Sequence, residues 1–152
     1  MKRILIIFVF VFFVSATNPT YTPVKIRTLP IVMVDVVEET ELIQSIIMVE
    51  SSNNDSAYCA SEDAVGCLQI RRVMVRDVNR ILKSQGNESR YKMKDRWNRS
   101  KSIEIFDIYC EHYKLTTDEH KARCWNGGPK GNTKESTIKY WNKIKKLWTK
   151  TK

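Results

Sequence analysis

Glu50 is the side chain in this sequence whose position best suits proton-transfer chemistry. It lies three and four residues beyond the last pair of an apolar stripe at helical spacing, which consists of Leu42, Ile43, Ile46 and Ile47. A carboxyl group on that stripe is desolvated, and it also lies near the negative end of its own helix. Both effects disfavour the anion, so we predict a raised pKa for Glu50. A general acid that protonates a glycosidic oxygen requires such a group.

The alternative for Glu50 is a glutamate that ends a helix and faces water. Periodicity alone favours this alternative, because charged residues commonly end helices. The sequence that follows favours catalysis instead, since it places a glycine and a glutamine close downstream, in the order Gly66, Leu68, Gln69 and Ile70.

Two motifs around these residues resemble those of lytic transglycosylases. The first resembles the family's E-S…S-x-x-G-A-x-G-L-x-Q signature and comprises Glu50-Ser51, Ser61, Ala64-Val65-Gly66 and Leu68-Gln69-Ile70. The second resembles the A-x-Y-N-x-G motif and runs from Ala122 through Trp125 and Asn126 to Gly128. The resemblance spans roughly Val36 to Trp148. It departs from the family at Trp125 (usually Tyr), Leu68 (often Met) and Asp63 (often Gly).

The resemblance implies a lysozyme-like fold and cleavage of the β-1,4 bond between N-acetylmuramic acid and N-acetylglucosamine in peptidoglycan. The family uses one glutamate as acid and then as base, and leaves a 1,6-anhydro end. Glu50 would therefore be catalytic. The substrate-binding residues implied are Ser51, Ser61, Gln69, Trp125 and Asn126.

Each of these binding residues also has a purely structural interpretation. The amide of Gln69 suits a sugar hydroxyl or N-acetyl group, but it could equally satisfy nearby backbone. Ser51 and Ser61 could bond local backbone groups in the same way. Trp125 could be ordinary core or could lie against Glu50, and Asn126 could cap a helix C-terminus.

Two mechanisms stay open, transglycosylation and hydrolysis. A hydrolytic lysozyme pairs its acid with a second carboxylate, and the nearby candidates are Asp55, Glu62 and Asp63, with Asp77 or Asp95 available through the fold. A non-catalytic cationic protein that binds the cell wall is a third possibility, since a fold does not guarantee an activity.

The N-terminus carries the pattern of an export signal. Lys2-Arg3 precede an apolar run from Ile4 to Val14, and small residues follow to Ala16. We predict a signal peptide at 1–16, an extended linker at 17–33 and a single domain at 34–150. The product would be periplasmic or secreted, without stable membrane insertion after signal removal; a retained anchor is the alternative.

Export makes the four cysteines interpretable as disulfides. Of the three possible connectivities we favour the two local pairs, Cys59 with Cys67 and Cys110 with Cys124. Zinc is disfavoured because the chain has no C-x-x-C or HExxH spacing.

Helical periodicity predicts a mainly α domain of about five helices. The resemblance implies the α+β lysozyme-like form of such a domain, with a short disulfide-bounded loop or hairpin beside the cleft. The first helix would begin near Asp35 and the second would run from about Arg72 to Lys83, ended by Gly86. A third would start near Asn98 or Ser100. A fourth, with a capping box of Thr116 and Glu119, would end at Trp125 before a turn through Gly127 to Gly131. The last would run from about Lys134 to Trp148 and present Ile138, Trp141, Ile144 and Trp148 on one side.

The charge fits an anionic polymer such as the cell wall. The chain carries 26 basic and 17 acidic residues, a formal +9, and loss of Lys2 and Arg3 with the signal leaves +7. Such a balance speeds encounter with an anionic surface. Nucleic acid is disfavoured by export and by the lack of a binding motif, and neither a cofactor nor an oligomer is implied.

Overall fold

The computed structural model of the protein describes residues 39–148, all of which belong to one compact unit. The signal peptide predicted at 1–16, the linker predicted at 17–33 and Asp35 lie outside the described residues. Within 39–148, the helices are too short or too polar to cross a bilayer.

Five α-helices and one small hairpin form this unit. The helices are α1 (Glu41–Ser51), α2 (Arg72–Ser84), α3 (Arg99–His112), α4 (Asp118–Gly127) and α5 (Ser136–Trp148). The hairpin pairs β1 (Tyr58–Cys59) with β2 (Ala64–Val65), and short 3-10 helices lie at Met93–Trp97 and Gly131–Thr133. The prediction of a mainly helical domain with about five helices and a short hairpin is confirmed.

Helix α1 begins at Glu41, directly before the apolar stripe. Thr40 caps its start, because its side-chain oxygen accepts a hydrogen bond from the backbone N–H of Ile43 at 3.3 Å. The predicted start near Asp35 is wrong, since residues 39 and 40 are not helical. The cap that forms directly precedes the apolar stripe, whose members Leu42, Ile43, Ile46 and Ile47 are all buried.

Helix α2 follows its prediction to within one residue. Val75, Val78, Ile81 and Leu82 are buried on one face. Gly86, with φ of 73°, follows the helix in the left-handed conformation, and the N–H of Asn87 bonds back to the carbonyl of Leu82 at 3.0 Å.

The predicted start of α3 is confirmed, whereas the predicted bounds of α4 are wrong. Asn98 caps α3 by accepting from the N–H of Lys101 at 3.0 Å. Thr117, not Thr116, caps α4 by accepting from the N–H of His120 at 3.2 Å, so no capping box with Glu119 forms. The helix also continues past Trp125 to Gly127.

The buried face of α5 consists of Thr137, Tyr140, Trp141 and Ile144, at i, i+3, i+4 and i+7. Ile138, predicted on the same side, is 40% exposed. The other three predicted residues are confirmed, since Trp141 and Ile144 are buried and Trp148 packs against the core, whereas Tyr140 takes the place predicted for Ile138.

The hairpin is held by a buried arginine. The Arg96 side chain is nearly inaccessible, and its Nη1 donates to the carbonyls of Asp63 at 2.7 Å and Ile70 at 3.0 Å. Gly66, with φ of 79°, backs onto the carbonyl oxygen of Arg96 so closely that a Cβ would overlap it. Only glycine fits this left-handed turn.

The predicted disulfides are not formed. Cys59, Cys67, Cys110 and Cys124 are all free thiols. Cys59 is partly exposed at the hairpin, where its sulfur lies 3.3 Å from the hydroxyl of Ser61, whereas Cys67 is buried. The sulfur of Cys124 lies 3.6 Å from the carbonyl oxygen of Pro129.

Candidate active site

A pocket of about 640 Å³ lies where the end of α1, the hairpin, one side of α2 and the end of α4 meet. Four of the six residues that the sequence predicts for the site line this pocket: Glu50, Gln69, Trp125 and Asn126. The other two, Ser51 and Ser61, are not part of its lining. The two motifs, more than fifty residues apart in sequence, therefore meet at one cavity.

Glu50 lies at the last turn of α1 and is partly buried in the pocket wall. Burial is the largest influence on this carboxyl group and raises its pKa above 4.5. A hydrogen bond from Tyr140 and the positive charges of Arg71 and Lys143 act in the opposite direction, while the negative charge of Glu62 adds to the rise. The net result is a raised pKa, which is the predicted direction.

Tyr140 is a residue of the candidate site that the sequence did not predict. Its hydroxyl donates a hydrogen bond of 2.6 Å to Oε1 of Glu50, across ninety residues of sequence. Burial and the neighbouring carboxyl group raise the pKa of Tyr140 well above its ordinary value, so the phenol keeps its proton. The i, i+3, i+4, i+7 pattern through Thr137 and Ile144 could have placed Tyr140 on the buried face of α5, but nothing local identifies its partner.

Trp125 lines the same pocket as Glu50. Its ring is buried and lies 5.1 Å from Phe106 and 6.1 Å from Tyr109, centroid to centroid. The resemblance expects a tyrosine at this position. In this protein the phenol that bonds Glu50 comes from α5, and Trp125 packs against core aromatic rings.

Asn126 is exposed at the pocket rim. The suggestion that it caps α4 is wrong, because Asn126 is still within the helix and Gly128, with φ of 79°, is the capping residue. Its amide is therefore available at the rim for a ligand to contact.

Gln69 is committed mainly to the hairpin. It adopts a left-handed backbone conformation, with φ of 47°, and its side-chain nitrogen donates to the carbonyls of Ala57 at 3.2 Å and Gly66 at 3.0 Å. Both amide hydrogens are thereby used on backbone. A sugar group would have to meet this amide at its oxygen.

The two serines serve local structure. The hydroxyl of Ser51 donates to the carbonyl of Ile47 at 3.0 Å and accepts from the N–H of Asn54 at 3.2 Å. Ser61 is exposed in the hairpin turn beside Cys59. The backbone interpretation is confirmed for Ser51, whereas the hydroxyl of Ser61 contacts the sulfur of Cys59 at 3.3 Å.

Of the five carboxylates considered as a partner for Glu50, two line the pocket. Glu62 forms an ion pair with Arg71 at 3.5 Å, and Asp77 accepts hydrogen bonds from Arg80 at 2.6 Å and from the hydroxyl of Tyr113 at 3.0 Å. The other three are held by basic side chains outside the lining: Asp55 by Arg99, Asp63 by Arg72 and Asp95 by Lys101.

In the described part of the chain, no three side chains of the metal-binding types cluster closely enough to hold an ion. The sequence matches no protein-family model, and no curated protein is similar enough to be counted as a relative.

Proposed function

We propose that the protein is a lytic transglycosylase of lysozyme-like fold that cleaves the β-1,4 bond between N-acetylmuramic acid and N-acetylglucosamine in peptidoglycan. One observation carries the proposal: Glu50 is a partly buried carboxyl group with a raised pKa in the wall of a 640 Å³ pocket, and a protonated phenol holds its orientation. The two sequence motifs support the same assignment. This substrate lies outside the cytoplasm, so the proposal includes export by the N-terminal signal.

The reaction begins with Glu50 protonated. The carboxyl group gives its proton to the glycosidic oxygen while the bond from that oxygen to the muramic anomeric carbon breaks. The resulting carboxylate then takes the proton of the muramic 6-hydroxyl, whose oxygen forms the new bond to the anomeric carbon. The product has a 1,6-anhydro end, and Glu50 is again protonated.

Tyr140 has a positioning role in both half-reactions. Its hydroxyl donates to the carboxyl oxygen Oε1, and a donor can serve the acid as well as the carboxylate. The bond stabilises the anion and so limits how far burial raises the pKa of Glu50. Burial favours the acid of the first step and the hydrogen bond favours the base of the second.

Hydrolysis is the second candidate, because two other carboxylates line the same pocket. Glu62 is close enough to Glu50 for its charge to raise the pKa of that group, and it could orient a water molecule. Both Glu62 and Asp77 are held in ion pairs, however, so their carboxylate oxygens are already engaged within the protein. This difference favours transglycosylation over hydrolysis.

Product analysis tests the proposal. Purified peptidoglycan sacculi are digested with the wild type, Glu50→Gln, Glu62→Gln and the control Glu104→Gln, whose side chain also accepts from a tyrosine but lies outside the pocket. We expect products with anhydro ends, one water lighter than reducing ends, from every protein except Glu50→Gln.

Two results would overturn the assignment. Reducing ends that depend on Glu62 would make the protein a hydrolytic lysozyme. Equal clearing of the wall by wild type and Glu50→Gln would leave a cationic binding protein without catalysis.

A further inference from the structure

The pocket extends well beyond the acid, along helix α2. Val73, Arg76, Asp77 and Arg80, at i, i+3, i+4 and i+7, all line it. At 1.5 Å per residue, Arg80 lies roughly 10 Å along the helix axis from Val73. The charge of Arg71, just before the helix, acts on Glu50. The acid is therefore near the amino end of α2, and the rest of this wall is free to bind a different part of the substrate.

Charge along this wall is unevenly matched. Arg71 pairs with Glu62 and Arg80 pairs with Asp77, so each of these two cations already has a carboxylate partner within the protein. Arg76 lines the pocket between them, and no carboxylate in residues 39–148 lies within ion-pair distance of it. The guanidinium group of Arg76 is therefore available to bind an anionic group of a ligand.

The chemistry of the wall indicates what would bind. A guanidinium group binds a carboxylate through two parallel hydrogen bonds, which a neutral sugar cannot provide. One turn before Arg76, Val73 presents an exposed apolar side chain to the same cavity, suitable for a small methyl-bearing residue. An acidic peptide with small side chains fits both features, and the muramic unit of peptidoglycan carries such a peptide.

We propose that the α2 wall binds the peptide stem of the glycan, with a stem carboxylate on Arg76. The inference rests on the proposed function for its substrate class. It adds that the protein distinguishes peptide-bearing strands from bare ones.

Cleavage of two substrates gives the first test. Peptide-bearing glycan strands are compared with strands stripped of peptide by an amidase, using wild type, Arg76→Ala, Arg76→Lys and the control Lys83→Ala. Lys83 is an exposed cation of the same helix outside the pocket lining. Losing a charged hydrogen-bond partner should lower kcat/KM of Arg76→Ala on peptide-bearing strands by about tenfold, with a smaller loss for Arg76→Lys. Stripped strands should show no such loss, and Lys83→Ala should match wild type on both.

Equal losses on both strand types would overturn the proposal and assign the lactyl carboxylate, which stripping exposes, to Arg76. No loss on either would also overturn it.

Binding without turnover gives the second test and does not depend on catalysis. In a Glu50→Gln background, the Kd of a disaccharide–tetrapeptide is measured with its carboxyl groups free and with them amidated. We expect amidation, or Arg76→Ala, to weaken binding about tenfold, with no further loss when both are combined. Independent effects that multiply would contradict the contact. If the wild type cleaves neither strand, the proposed activity fails, while this measurement still decides the peptide site.

Discussion

Tyr140 donates a 2.6 Å hydrogen bond to Glu50, and so the last helix fixes the carboxyl group at the end of the first. Burial and this bond act oppositely on the same group: burial raises the pKa of Glu50 and the bond lowers it. The relationship therefore sets the pH range in which the acid keeps its proton.

Replacing Tyr140 by phenylalanine should shift the pH dependence of cleavage. Without the donor the carboxylate is less stable, so the pKa of Glu50 rises further and the alkaline limb of kcat/KM moves to higher pH. The rate at the optimum should fall as well, because the carboxyl group loses its fixed orientation. The measurement is a pH–rate profile on solubilised glycan strands.

Tyr91→Phe is the matched control for that profile. Tyr91 donates a 2.7 Å hydrogen bond to Glu104, a pair of the same chemistry outside the pocket. Its removal should leave the position of the limb unchanged. If the limb stays in place for Tyr140→Phe, or moves equally for both variants, then the hydrogen bond from Tyr140 does not set the pKa of Glu50.

Glu50→Gln should make the protein more stable near neutral pH. The folded chain holds the Glu50 proton more tightly than the unfolded chain, so folded protein binds more protons and the stability of the wild type falls as pH rises from about 4.5 through the folded pKa. Glutamine cannot ionise. The stability gained by the variant should therefore be absent below pH 4, grow through this window and then level off.

Urea unfolding at a series of pH values measures this difference, and Glu88→Gln in an exposed loop controls for removing one negative charge from a basic protein. Parallel pH dependences for wild type and Glu50→Gln would mean that burial does not disfavour the Glu50 anion.

Gly66→Ala should destabilise the protein by at least about 2 kcal/mol, because a methyl group there meets the carbonyl oxygen of Arg96. Gly86→Ala is the control, because it is matched to Gly66→Ala in backbone conformation. Gly86 has nearly the same φ, 73° against 79°, but no atom within 4 Å of the added carbon, so it should lose only the left-handed strain, about 1 kcal/mol. Thermal or urea unfolding of both variants measures the difference. Similar losses would show that the hairpin does not rest on Arg96.

Thiol alkylation of the native protein should modify Cys59 first. Cys59 is the partly exposed cysteine, and the other three are buried. Burial raises the pKa of Cys110 to about 12 and also raises that of Cys67, so few thiolates form at those sites. Unfolding without reductant should release all four thiols, as counted by mass spectrometry. Fewer than four would mean that disulfides form after all.

The helices and the location of Glu50 were predictable because they depend on local pattern. The spacing of Leu42, Ile43, Ile46 and Ile47 defines the buried face of α1 without reference to any other element, and Glu50 follows from it. The errors at Asp35 and Thr116 concern which of several nearby polar residues caps a helix. Small shifts of chain direction decide that choice, and periodicity does not encode them.

The contacts between distant residues of the site could not be predicted from one sequence. The bond from Tyr140 depends on how α5 packs on α1, and a tyrosine on a buried face looks the same whether it meets an acid or a leucine. The cysteine pairing failed for a similar reason. Cys59 and Cys67 are close in sequence, but Cys59 lies at the pocket lining and Cys67 in the core. A predicted export signal does not indicate where each of these side chains lies in the fold.

Joining α1 to α5 has a consequence for the newly made chain. The ribosome must synthesise almost all of the described sequence before the acid gains its phenol partner, since ninety residues separate the two. A nascent or prematurely ended chain that stops before residue 136 would carry Glu50 without the helix that orients it. Under the function proposed above, both ends of the described segment must be made before the acid is oriented, so fragments that stop before α5 should not cleave peptidoglycan.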